Sequence, residues 1–217
     1  MKSFFEEFSN IEPNQGGYII YRQDGTFEYK EEHVEDIFII DKDILEGLLF
    51  EYCNEKVLQF SNTSDNKEVY AFVLYLDTTY GDVIIYLNTH EALNEEINTK
   101  ECCDEDKEWM KYYGIGDYKY MIQEELPELL NQIMTLYLRI HDGQGFPKFD
   151  YDVAVVNDIF ENKLINIGEN VVNRLKPFSS INKSKDFIGF VADHDEEYFL
   201  NTVDEEFYNK YVKLSYV

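Results

Sequence analysis

Residues 69–93, VYAFVLYLDTTYGDVIIYLNTHEAL, restrict the fold of this chain more than any other stretch. Residues 69–76 and 83–87 are dense in Val, Ile, Leu, Tyr and Phe, which suit a pleated surface buried on one or both faces. The six residues between them include Asp77, Gly81 and Asp82. That spacing is too short for the crossover a parallel pair needs, so the two runs predict an antiparallel hairpin. After Leu87, Asn88 or Thr89 offers a side-chain oxygen to the first free amides of a helix. Glu91 stands where a helix dipole favours negative charge, and Ala92, Leu93 and Ile97 form its apolar stripe.

The pattern Y-A-F-V-L-Y, then I-Y-L-N-T-H-E-A-L, then an acidic segment with the lone Trp109, resembles the bacterial domain-of-unknown-function family 4303 over residues 69–140. The resemblance implies a soluble α+β protein without an established enzymatic activity, of a kind that in some similar families accompanies toxin–immunity loci. Its motifs are strands and caps and carry no catalytic signature, so it transfers no functional residues.

The rest of the chain extends the same architecture. Asp24-Gly25 between residues 18–22 and 26–30 predicts a second hairpin. Residues 36–40 form a third apolar run. Asp41 then caps a helix whose Ile44, Leu45, Leu48, Leu49, Tyr52 and Cys53 recur at helical spacing. Pro127 suits a first helical turn, and Leu129, Leu130, Ile133, Met134, Tyr137 and Ile140 continue a helix toward Gly143. Val153, Val156, Ile159, Phe160 and Leu164 predict a further helix over 152–164. Residues 170–175 predict a short helical segment, 187–192 a buried strand returning to the sheet, and 205–212 a terminal helix. The expected fold is α+β, a mainly antiparallel sheet built from hairpins and packed against several amphipathic helices. Residues 1–217 read as a single domain, with an internal boundary at 143–150, around Gly143 and Gly145, before a helical C-terminal part.

Charge narrows the partners. Forty-four acidic against 19 basic residues give a formal charge of −25, which opposes direct contact with nucleic-acid backbone or an anionic membrane and favours a basic protein. The same acidity also keeps a protein soluble. Three cysteines, two of them adjacent, make no disulfide framework, and no stretch approaches the ~20 apolar residues of a membrane span. A cytoplasmic protein is expected.

Catalytic chemistry finds little support. His33, His90, His141 and His194 are scattered, and only His194 sits between carboxylates, where the alternation of an extended chain keeps neighbours from converging on one metal ion. Cys102 and Cys103 lie beside Glu101 and Asp104, which raise rather than lower a thiol pKa. The Gly143-Gln144-Gly145 turn follows a helix and lacks the lysine of a phosphate loop. No enzyme, cofactor or metal is predicted.

The leading expectation is an intracellular protein-binding module, an immunity- or antitoxin-type protein that neutralises a basic effector such as a nuclease. Its predicted contacts are Asp104, Glu105, Asp106, Trp109 and Tyr112, with Asp193, Asp195, Glu196 and Glu197 as a second patch. Acidic groups would steer the encounter and aromatic rings would anchor it. Two alternatives stand beside it: a small-molecule-binding or enzymatic domain with a tyrosine and carboxylate pocket at the sheet edge, and a nucleic-acid mimic.

Overall fold

The structure is a computed structural model that describes residues 17–32, 34, 36–77, 80–100, 107, 110–111, 114–141, 148–156, 164–175 and 180–192, with backbone alone at 138–141. The nine predicted contact residues, Cys102, Cys103, His194, the 143–147 turn and the 205–212 helix lie outside the described residues.

Two mixed sheets carry the fold. The first has the order β2-β1-β7-β3, from β1 (Tyr18–Tyr21), β2 (Phe27–Lys30), β3 (Phe38–Ile40) and β7 (Val153–Val156). The second has the order β6-β5-β4-β8, from β4 (Val69–Leu76), β5 (Val83–Thr89), β6 (Tyr120–Ile122) and β8 (Lys183–Ala192). The longer helices among the described residues are α1 (Lys42–Ser61), α2 (His90–Lys100), α3 (Glu128–His141) and α4 (Leu164–Leu175). The α+β class expected from the sequence is the class observed, as two sheets rather than one.

Local chemistry explains the element ends. Gly25 adopts φ 85°, its amide bonds to Arg22 O at 2.9 Å, and Asp24 Oδ1 accepts from the Thr26 amide at 2.8 Å, which closes the first hairpin. Asp41 caps α1 by accepting from the Ile44 amide at 2.9 Å. Thr89 Oγ1 does the same for α2 through the Ala92 amide at 3.2 Å. Tyr137 receives the Leu164 amide at 3.4 Å, so a side chain of α3 meets a free donor at the start of α4.

The helix expected over 152–164 is corrected at its start, and residues 157–163 of it lie outside the described residues. Val153, Ala154, Val155 and Val156 form β7, antiparallel to β1 and parallel to β3, and all are buried. A continuous apolar run satisfies the helical period and the strand period alike. β-Branched residues buried on both faces belong to a central strand. Helix α4 runs twelve residues, Leu164–Leu175, longer than the short segment expected at 170–175.

Connectivity repeats itself. β3 leads through α1 to β4, and β7 leads to α4 and β8. β3 pairs parallel with β7, while β4 pairs parallel with β8. Each unit starts in the first sheet and ends in the second, so α1 and α4 run side by side. Arg174 clamps them by donating to Glu46 at 2.9 Å and stacking 4.0 Å from the Phe50 ring. One hydrophobic cluster contains Tyr21, Phe38 and Val155 of the first sheet, Phe72, Leu74 and Ile85 of the second, and the inner faces of α1, α3 and α4. The opposite face of the second sheet, through Ala71, Val73 and Phe190, packs with Leu93 of α2, Met110 and Tyr118.

Helix α4 lies so close to β4 and β8 that a Cβ on Gly168 would stand 2.5 Å from Leu76 Cδ1 and 3.2 Å from Val191 Cγ1. Both neighbours are fully buried and have little room to give. Gly168→Ala is therefore expected to cost about 1–3 kcal/mol in urea unfolding, and an unchanged midpoint would contradict this close approach.

Candidate functional site

Two places gather polar chemistry, and the hairpin of β4 and β5 touches both. The first lies where β4 begins. Glu68 takes a left-handed backbone (φ 45°), unusual for a residue with a side chain. Between Val69 and Ala71 the pairing slips against both neighbours: β5 advances from Thr89 to Asn88, while β8 advances from Lys183 to Ile188. Bulges of this kind re-aim side chains. Here the loose stretch of β8 brings Ser184 and Asp186 against the first residue of α2.

Asp186 Oδ1 contacts His90 Nε2 at 2.9 Å and accepts from Ser184 Oγ at 2.7 Å, and Oδ2 pairs with Lys111 Nζ. The Lys111 ammonium also lies 5.5 Å from the Tyr70 ring centroid, with the His90 ring 5.2 Å from the same centroid. The buried Tyr70 hydroxyl accepts from Asn88 Nδ2 at 3.0 Å. Partial burial works against the Asp186 charge. Hydrogen bonds from Lys111, Ser184 and His90, with the Lys111 charge, outweigh it and hold the carboxyl well below the usual carboxylate range. An ionised acceptor places the proton of His90 on Nε2 and fixes its ring. The cluster ties the bulge of β8 to the start of α2 and to residue 111.

The second place is an acidic groove. Residues 123–127 follow β6 without regular structure and run between α1, α3 and the turn joining β4 to β5. One cavity of about 530 Å³ is lined by Tyr52, Glu55, Lys56, Glu125, Leu126, Pro127, Glu128 and Asn131. Another of about 260 Å³ adds Tyr80, Asp82, Glu124 and the α3 residues Met134 and Thr135, and shares Glu125, Leu126 and Asn131 with the first. The charged lining is five carboxylates, Glu55, Asp82, Glu124, Glu125 and Glu128, against the single ammonium of Lys56.

That ammonium is already engaged. Lys56 Nζ donates to Glu124 at 2.7 Å, approaches Glu55 at 3.4 Å and stands 5.4 Å from the Tyr52 ring centroid. The Glu124 hydrogen bond, opposed by partial desolvation and helped by both glutamate charges, raises its pKa above the ordinary lysine value. Nearby Cys53 is no nucleophile, because burial pushes its thiol far up. Among the described residues, no group of three or more His, Cys, Asp and Glu could hold a metal ion, and no helix is long and apolar enough to cross a membrane.

None of the contact residues expected from the sequence falls within the described residues, so neither site contains them. Sequence reasoning missed both sites. His90 and Asp186 are 96 positions apart and meet only through the pairing of β4 with β8. The groove did leave a signal in Glu124-Glu125 and Glu128 around Pro127, which is obscured by the abundance of carboxylates elsewhere.

These features define an α+β protein of two four-stranded mixed sheets bridged by paired crossover helices, with an acidic groove at one sheet edge. The chain matches the family described as Domain of unknown function (DUF4303) over residues 49–203, and it belongs to that family. Neither a curated protein nor a solved structure matches it significantly.

The Asp186 cluster has a defined pH signature. A carboxyl whose pKa is lower folded than unfolded adds stability above about pH 4, the unfolded value, and loses it as pH falls through the folded value. Asp186→Asn is expected to cost about 1 kcal/mol near neutrality, since the carboxylate is partly exposed. The gap between variant and parent in thermal melts should close as pH drops below about 4. A gap that persists unchanged in acid would show that the charge of Asp186 contributes nothing.

Proposed function

We propose that this chain is a protein-binding module of the cytoplasm that neutralises a basic effector, in the manner of an immunity or antitoxin protein, and that the acidic groove is part of its contact surface. The observation that carries this reading is the groove's lining, in which five carboxylates face one ammonium that is already paired. A basic surface entering such a concavity gains from the field focused there, and the net charge of −25 extends that attraction over the whole approach. Lys56 supplies an internal example of the chemistry, an ammonium held between a glutamate and the face of a tyrosine. Asp104, Glu105, Asp106, Trp109 and Tyr112, with Asp193, Asp195, Glu196 and Glu197, remain proposed as further contacts for the same partner. The reading assigns the chain no catalytic step and no direct contact with nucleic acid or membrane.

The groove also supports a second reading, a pocket for a small cationic molecule, because tyrosine and carboxylates line a cavity of about 530 Å³. The two readings differ in the size of the ligand.

A partner captured from the native lysate at low salt provides the test. Glu125→Lys with Glu128→Lys spares Glu124, the neutraliser of Lys56, and should slow association about tenfold or more at low ionic strength. The difference should shrink above ~0.5 M salt as the charges are screened. Equal association rates for parent and variant would remove the groove from the contact surface.

A further inference from the structure

We infer that the partner docks as an extended segment of alternating basic and apolar residues that adds a strand to the edge of the second sheet along β6 and runs on into the groove lined by residues 123–126. The inference rests on the basic-partner reading and specifies its geometry. β6 ends the order β6-β5-β4-β8, and among the described residues β5 is its only strand neighbour. Beyond Ile122 the chain leaves its pairing with β5 and lines the groove beside this edge, without regular structure before the helical bond from the Asn131 amide to Pro127 O. A free edge offers main-chain donors and acceptors to another strand unless lysine, proline or a bulge blunts it. Lys119, at the head of β6, is tied to Glu95 at 3.0 Å, and the only proline nearby, Pro127, comes after this segment.

Side-chain alternation sets the chemistry of the incoming strand. Tyr120 and Ile122 pack toward the main core, whereas Met121 between them is 55% exposed. Just beyond the strand, Glu124 meets Lys56 on α1. A strand laid on β6 therefore sends one set of side chains over Glu55, Glu124 and Tyr52 and the other set beside Met121. Lysine or arginine suits the first set, and an apolar residue suits the second. Tyr52, 3% exposed, lines the groove beside Glu124 and offers its ring face to a cation on this side.

The test titrates the full chain with four synthetic octapeptides by calorimetry. The first alternates lysine and valine. The second has the same composition in two blocks. The third and fourth are the alternating peptide N-methylated on its odd or its even amides, which preserves charge and removes strand pairing on one side only. The alternating peptide is expected to bind about tenfold or more tightly than the block peptide and than one of the N-methylated pair, while the other N-methylated peptide keeps its affinity. The amides of β6 that point away from β5 should gain protection from hydrogen exchange in the complex. If all four peptides bind alike and Glu125→Lys with Glu128→Lys weakens them all, edge pairing is overturned and the basic-partner reading stands. If no lysine peptide binds in a groove-dependent way, both fail.

Discussion

The parallel pairing of β4 with β8 is the constraint on which the rest of the structure depends. β4 is the strand with the greatest apolar load, and Val69, Tyr70, Ala71, Phe72, Val73 and Leu74 are fully buried. Each large side chain among them contributes roughly 1.5–3 kcal/mol when removed from water, so both faces of the strand have to be covered. The hairpin with β5 supplies one hydrogen-bonded edge. The other edge can be filled only by a strand from more than a hundred residues away, Phe190, Val191 and Ala192 pairing with Val73, Leu74 and Tyr75. Helices α1, α3 and α4 cover one face, and α2 with Met110 and Tyr118 covers the other.

Both polar sites follow from that arrangement. Where β8 departs from β4, its slack residues deliver Ser184 and Asp186 to His90 and Lys111, and the fixed charges close the end of the sheet. At the far side of β5, the sheet ends in three residues of β6, and α1 runs past that short edge with Phe60 5.2 Å from Tyr120. The gap that remains between α1 and residues 123–128 is the acidic groove. Its electrostatics come from local sequence, while its shape comes from a helix positioned by the core.

Local elements were legible in the sequence because their signals are local. The β4–β5 hairpin, the Asp24-Gly25 turn, and the caps at Asp41 and Thr89 all rest on contacts between residues a few positions apart. Long-range partners were not. An apolar run such as 153–156 fits a strand or a helix equally well, and only its place between β1 and β3 decides for the strand. β6 escaped notice because three residues carry too short a period to register. His90 gave no sign of its role, since the carboxylate that orients it belongs to a bulge on another strand, and the acidic groove could not be told from other acidic stretches until Lys56 and Tyr52 were seen beside it.

The central claim is that one hydrophobic core joins the two sheets through α1 and α4, so that the groove and the Asp186 cluster sit on a single cooperative unit. Native-state hydrogen exchange under increasing denaturant tests it most directly. Amides of β1 and β7 in the first sheet, and of β4 and β8 in the second, should converge on one opening free energy equal to that of global unfolding. If the first sheet opened at a clearly lower free energy with its own denaturant dependence, the two sheets would be separate units and this account would be contradicted.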